Sequence, residues 1–293
     1  MPRSKWRVRP STARVERRRV TDRSWRLSVV AFLLVKADIQ IDSMELGRIS
    51  AIFRYPLKSM AGESLEVARL GWHGIEGDRR LAFRRLADKS SFPWLTASKL
   101  PELILYKPFV LDKQFGRDGN GNELLPTHVR TPDGKEYELG SDELREEISI
   151  RHGSEVELMN LKSGIFDEGS VSVISLGTVL GIERESEREI DLRRFRPNIV
   201  IETTSLEPFA EDGWVGRTLT FGEGKSESVP MASIGITMKD ERCVMVNLDP
   251  DTAKKDSEVM KTIVRMNQNY AGIYGTVVRA GELRVGQVVT LEG

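Results

Sequence analysis

After Met44 the chain is cut into short alternating apolar runs by glycine, proline, asparagine and aspartate, and few of these runs reach helical length. Side chains repeat every two residues along a strand, so such runs bury one face of a sheet. Ile49, Ile52 and Phe53 form one run, ended by Tyr55-Pro56 because proline removes a ladder donor and restricts the residue before it. Leu65-Glu66-Val67, Leu81-Ala82-Phe83, residues 156–159 and residues 171–174 read the same way, and Pro132-Asp133-Gly134 marks a hairpin between Thr127 and Leu139. Beyond residue 195, strands are predicted at 198–202, 217–221, 234–237, 243–247, 275–279 and 285–291, the last two around Ala280-Gly281.

Three helices are expected. Asp142 caps the first, with Leu144 and Ile148 on one face; Ser175 caps the second, which carries Leu176, Val179 and Leu180 into the charged run 183–189. The third covers 257–268 and turns Val259, Ile263 and Met266 to the core. Short, closely spaced strands with so few helices predict a β-rich α+β chain with a barrel and not a doubly wound sheet. Gly, Asn and Asp concentrate at 112–127, which marks either a domain seam or a long hairpin loop.

The 44 Lys+Arg and 44 Asp+Glu cancel only in sum. Residues 1–43 hold 11 Lys+Arg and 4 Asp+Glu, which leaves 33 and 40 for residues 44–293. The body is mildly acidic, without the basic excess of a nucleic-acid binder. The arm joins Arg17-Arg18-Arg19 to the apolar stretch 27–35, far short of the roughly 20 residues that span a bilayer. It reads as a targeting segment, as a disordered basic tail, or as an extension upstream of a true start at Met44. The third reading is favoured because patterned sequence begins there. The expected compartment is the cytoplasm, or an organelle or export route if residues 1–43 act as a leader. With three histidines (His73, His128, His152) and one cysteine, Cys243, the chain can build no disulfide, Cys/His zinc site or four-cysteine iron–sulfur cluster.

Four segments carry candidate chemistry. A lone cysteine is often a small buried hydrophobe, yet Cys243 stands between Glu241-Arg242 and the polar run Asn247 to Thr252, where a thiolate suits a soft or redox metal. Whether Arg242 lowers the thiol pKa is open, because adjacent strand residues face opposite ways. Arg193-Arg194-Phe195-Arg196-Pro197-Asn198 offers guanidinium forks beside an amide, suited to a phosphate and a heterocycle edge, or plain surface charge. Tyr55-Pro56-Leu57-Lys58-Ser59 sets an amine, a hydroxyl and backbone amides just past a strand, and Gly77-Asp78-Arg79-Arg80 brings two arginines into another.

Taken in chain order, Tyr55 to Ser59, Gly77-Asp78-Arg79, Phe195-Arg196-Pro197-Asn198-Ile199-Val200 and Arg242-Cys243 resemble the MOSC family, in particular its amidoxime-reducing members, in which an N-terminal β-barrel-like module precedes the MOSC β-barrel domain. The likeness runs over nearly all of residues 45–293. It continues through Ala210-Glu211-Asp212-Gly213-Trp214 and Leu248-Asp249-Pro250-Asp251-Thr252, and closes with Gly281-Glu282-Leu283-Arg284-Val285-Gly286. Each piece is moderately specific; their order and spacing carry the weight. The resemblance implies an arm at 1–43, the N-terminal module at 44–125 and the MOSC domain at 126–293. It implies a molybdenum cofactor (Mo-molybdopterin) whose metal takes the Cys243 thiolate, with Lys58, Ser59, Arg79, Arg196 and Asn198 at cofactor-contacting positions. Molybdenum ion binding and pyridoxal phosphate binding are terms attached to the family as a whole.

The activity so implied is reduction of N-hydroxylated small molecules. Asp249 is the candidate proton relay, or simply the first residue of an Asp-Pro turn. With no cysteines for a cluster, electrons are expected from a separate ferredoxin, flavodoxin or cytochrome b5 type partner, with no nucleic acid and no membrane span. The alternatives are a non-catalytic cofactor or sulfur carrier and a peroxide-sensing thiol. The chain also departs from the family pattern: Glu241 stands where relatives carry serine, Glu168-Gly169 follows Asp167 where they carry Thr-Ser, and Ala253 replaces a glycine.

Overall fold

The computed structural model describes residues 43–111, 125–222 and 231–293. The basic arm up to residue 42, and most of the Gly/Asn-rich seam at 112–127, lie outside the described residues. The strands, in chain order, are β1 (Ser43–Arg54), β2 (Glu63–Leu65), β3 (Val67–Gly71), β4 (Gly74–Ile75), β5 (Leu81–Arg85), β6 (Lys107–Phe109), β7 (His128–Arg130), β8 (Glu136–Glu138), β9 (Val156–Asn160), β10 (Val171–Ser175), β11 (Ile199–Thr203), β12 (Thr218–Phe221), β13 (Ala232–Glu241), β14 (Tyr270–Arg279), β15 (Gly281–Arg284) and β16 (Val288–Glu292). The helices are α1 (Asp142–His152), α2 (Leu176–Ser186) and α3 (Ser257–Asn267).

Seven strands close a barrel in the order β11, β10, β14, β13, β12, β16, β1, because β1 pairs with β16 along one part and with β11 along another. Only β10–β11 is parallel. Closure depends on register shifts in β1 and on Gly47 (φ +152), where a Cβ would fall 2.0 Å from the Glu202 carbonyl oxygen. The period-2 pattern fills the interior: Ile49 and Ile52, Val171 and Val173, Ile199 and Ile201, Leu219 and Phe221, Ile234 and Ile236, Val289 and Leu291 share one core. All five residues of β10 are buried because α2 and α3 cover its outer face, where Ile174 and Val200 meet Val179, Ile182, Val259 and Ile263. A second core beside the barrel joins Leu57 and Met60 to β5, β9, α1 and the small β6–β7–β8 sheet. Thus the segment 44–125 contributes a barrel stave, β1, and much of this second core. Among the described residues no helix is long and apolar enough to cross a membrane.

Local structure follows the sequence with four corrections. The strand expected at 285–291 is displaced: Gly281–Arg284 forms β15 against β3, residues 285–287 turn, and β16 begins at Val288. The cap of α1 is Ser141, whose hydroxyl accepts from Leu144 N at 3.2 Å, and Asp142 becomes the first helical residue. The run at Leu65-Glu66-Val67 splits at Glu66, since β2 pairs with β1 whereas β3 pairs with β15. Residues 243–247 are not a strand. The β13–β14 ladder ends at Glu241–Tyr270, so the Val-Met-Val run has no partner and closes its own 3-10 turn at Val244–Asn247, with Val246 N donating to the Cys243 carbonyl. Asn247 Oδ1 accepts from Met260 N at 3.0 Å and pins that turn to α3.

Glu211 lies fully buried under the first turn of α2, accepting from Thr178 Oγ1 at 2.8 Å and Ser175 N at 3.4 Å. Burial pushes its carboxyl up to about 7 from 4.5. The folded state keeps a proton there that the unfolded chain releases. This contribution to stability is therefore complete below pH 4.5 and lost as pH rises through 7. The expected loss is on the order of 3 kcal/mol, and Glu211→Gln should flatten the slope. Urea denaturation at a series of pH values measures both; a wild-type stability flat over this range would refute the assignment.

Candidate active site

Proline ends β1 at Arg54 and turns the chain sharply. Lys58 N then returns to the Leu81 carbonyl at 2.8 Å, and Arg79 N to the Tyr55 carbonyl at 2.7 Å, so the 55–59 and 77–80 segments are laced together. Asp78, fully buried, completes the lacing by accepting from Tyr55 N at 2.7 Å and from Arg79 Nη1 at 2.5 Å. Ser59 (φ 65), Arg79 (φ 50) and Arg196 (φ 49) all take left-handed backbone conformations, each costing roughly 1–2 kcal/mol for a residue with a Cβ. The fold thus brings three such residues to one place, whereas others, such as Glu187 and Gln268, cap helices elsewhere.

Those three residues, with Lys58 and Cys243, line one cleft of about 340 Å³, whose other walls include Asp167, Ser172, Arg194, Asp240, Arg242 and Tyr274. Cys243 is exposed, just after β13 where the 3-10 turn begins. Lys58 is buried and donates to Asp167 Oδ1 at 2.8 Å. Burial pushes its amine pKa down, against the pull of Asp167. Burial also pulls Arg79 down, but the Asp78 carboxylate more than reverses this and holds the guanidinium above its ordinary value. Arg196 differs. It donates Nη1 to the Met60 carbonyl at 2.8 Å and lies 4.2 Å over the Tyr55 ring, and among the described residues no carboxylate pairs with it. Burial lowers its pKa to about 10. A cation enclosed without a counter-ion is costly unless an anion arrives.

Asn198 is buried and does not line the cleft. Its Oδ1 accepts from Arg79 Nη1 and from Ser172 N, both at 3.1 Å, and its Nδ2 donates to the Phe53 carbonyl at 3.3 Å. It holds Arg79 in place from behind. Arg242 does not turn to the thiol: it is buried, donates to the carbonyls of Ala271 and Phe195 at 2.6 and 2.8 Å, and pairs with Asp240 at 2.9 Å. Asp249 is a turn former. Its Oδ1 accepts from Asp251 N, Thr252 N and Thr252 Oγ1, and its Oδ2 pairs with Arg194 at 3.1 Å. Burial works against these bonds, yet they hold its carboxyl below the ordinary range, and it lies outside the cleft lining, so it is poorly placed as a proton relay. Glu241 is exposed at the rim, and Ala253 takes φ 56, a left-handed conformation that glycine adopts without strain.

Sequence reasoning missed Asp240 and Tyr274. Asp240, on β13, is buried and accepts from Ser172 Oγ at 3.4 Å, and the Tyr274 side chain on β14 lines the same cleft. Burial outweighs Arg242 and pushes its carboxyl up to about 6. Its position three residues before the cysteine was the only available signal.

Residues 145–290 match the family model described as the MOSC domain. The chain carries a MOSC domain. Mitochondrial amidoxime reducing component 2 of Bos taurus is 23% identical, covering 84% of this chain and 83% of that protein. The crystal structure of the YUAD protein from Bacillus subtilis superposes with a TM-score of 0.46 at 13% identity, over 86% of this chain and 98% of that chain. Arg196, Asp240, Cys243 and Tyr274 lie within the matched MOSC residues, whereas Lys58, Ser59, Asp78 and Arg79 precede them. The cleft is thus assembled from the MOSC domain and the segment before it.

Among the described residues no three His, Cys, Asp or Glu gather to hold a metal ion. The cationic wall of Lys58, Arg79 and Arg196 beside the Cys243 thiol suits an anionic group.

Proposed function

We propose that the chain binds a molybdenum cofactor of the molybdopterin type and reduces N-hydroxylated compounds of the amidoxime class, with electrons from a separate carrier protein. The observation that supports it best is Arg196, a guanidinium with no carboxylate partner among the described residues, on the same wall as the chain's single thiol. Cys243 would hold the metal, and Lys58, Ser59, Arg79 and Arg196 would face the anionic pterin group, with Asn198 fixing Arg79. The bound cofactor supplies two-electron removal of oxygen. Cleaving the N–O bond and releasing water also consumes two protons. Asp240, which keeps its proton to about pH 6, holds one inside the cleft on its carboxyl, and Arg242 at 2.9 Å stabilises the carboxylate left behind. The same reading divides the chain into modules at 44–125 and 126–293 and sets it in the cytoplasm, residues 1–43 being the segment that would redirect it.

The test is metal analysis of the full chain from a molybdenum-replete host, then turnover of a small N-hydroxylated amidine with an artificial reductant. Less than about 0.1 molybdenum per chain sinks the reading; retained cofactor without turnover gives the carrier instead. Arg196→Met should keep stability within about 1 kcal/mol of wild type, since it removes an uncompensated cation, while cofactor retention falls at least about tenfold. Full retention in that variant would remove the reading's main support.

A further inference from the structure

The Cys243 cleft adjoins a wider cavity of about 680 Å³, and the two share Glu168, Glu241, Arg242 and Cys243. Lys58, Arg79 and Arg196 line only the inner one, whereas Met238 and Tyr270 line only the outer one. The thiol therefore stands where the two meet. Both basic side chains of the outer cavity are already neutralised: Lys239 donates to Asp212 Oδ2 at 2.8 Å, and Arg242 pairs with Asp240 at 2.9 Å. Its two carboxylates are not. Glu168, in the segment before β10, and Glu241, at the end of β13, are exposed and have no basic partner among the described residues. The Asn269 amide that reaches Glu241 at 3.4 Å carries no charge, and the adjacent acid, Asp167, is held by Lys58. Two elements distant in sequence thus set surplus negative charge on one side of the thiol, while Arg196 leaves surplus positive charge on the other.

We propose that the outer cavity admits the substrate and selects for positive charge, so that the preferred compounds carry a cationic group besides the reacting N–O bond. This deepens, and rests on, the reading of the Cys243 cleft as a reducing site. The cationic group lies against Glu168 and Glu241, and the apolar part of the substrate lies against Tyr270 and Met238, the latter 40% exposed. An exposed carboxylate favours a neighbouring cation by no more than about fivefold, but two on one rim reach about tenfold and oppose an anion in the same way.

N-hydroxybenzamidines with para trimethylammonio, tert-butyl and carboxylate substituents test it, the first two matched in shape and differing in charge. With the molybdenum-loaded full chain and an artificial reductant, kcat/KM should fall in the order cation, neutral, anion, with cation and anion at least about tenfold apart. In the doubly substituted chain, Glu168→Gln with Glu241→Gln, the spread should close to within about twofold, whereas a general loss of structure would lower all three alike. Calorimetric titration with benzamidinium and its neutral isostere benzamide reads the cavity without turnover. The cation should bind at least about fivefold tighter, and the double variant should lose that margin. A wild-type spread within about twofold, a spread that survives the double substitution, or equal binding of the two probes overturns the proposal. No turnover of any of the three refutes the reducing reading instead, and the titration alone then decides the cavity's preference for cations.

Discussion

Replacing Cys243 with serine is expected to leave a folded chain that no longer retains molybdenum. Cys243 is exposed and outside every apolar core, so the substitution should change stability by less than about 0.5 kcal/mol. A serine hydroxyl stays protonated near neutral pH and is a hard donor, whereas the thiolate is soft and readily formed. No other thiol can replace it. Metal per chain should drop at least about tenfold and turnover of an N-hydroxylated amidine by roughly a hundredfold or more. Wild-type molybdenum content in Cys243→Ser would disprove the thiolate's role; a variant that unfolds would show that the cysteine is structural.

Asp78→Ala should be the most destabilising change at the site. The carboxylate is fully buried and accepts from Tyr55 N at 2.7 Å and Arg79 Nη1 at 2.5 Å. Removing it leaves an unpaired backbone N–H and a guanidinium only 12% exposed with no carboxylate beside it. Breaking a buried pair from one side costs about 3–5 kcal/mol, a large share of a domain's stability. Asp78→Asn keeps an acceptor for Tyr55 N and should lose about half as much. Urea midpoints with an unchanged slope would measure both. An alanine variant within about 1 kcal/mol of wild type would mean that Asn198 and the Arg196 carbonyl, which Arg79 also reaches at 3.1 and 3.0 Å, suffice to hold it.

Arg193, Arg194 and Arg196 stand together in Arg193-Arg194-Phe195-Arg196 and look alike in the sequence. In the fold, Arg193 meets Asp251, 58 residues away, Arg194 meets Asp249, and Arg196 meets no carboxylate among the described residues. A sequence pattern reports residue type; whether a cation is neutralised depends on what distant elements bring to it. Asn198 shows the same limit. Its amide suits a heterocycle edge, but Arg79, 119 residues away, claims its oxygen first.

The alternating runs at Ile49–Ile52, Val171–Val173 and Ile199–Ile201, the capping serine at Ser175 and the single thiol were all legible beforehand, because period, capping and composition act over a few residues. The 3-10 turn after Cys243 was not. Its Val-Met-Val run prefers a strand, and only the end of the β13–β14 ladder denies it a partner. Barrel closure through β1, the left-handed Ser59, Arg79 and Arg196, and the carboxyl at Asp240 likewise exist only once the strands have paired. The sequence by itself determined the strand-rich class and the thiol available to the site. The tertiary structure decided which charges face the cleft uncompensated, because desolvation and pairing are set by distance in space.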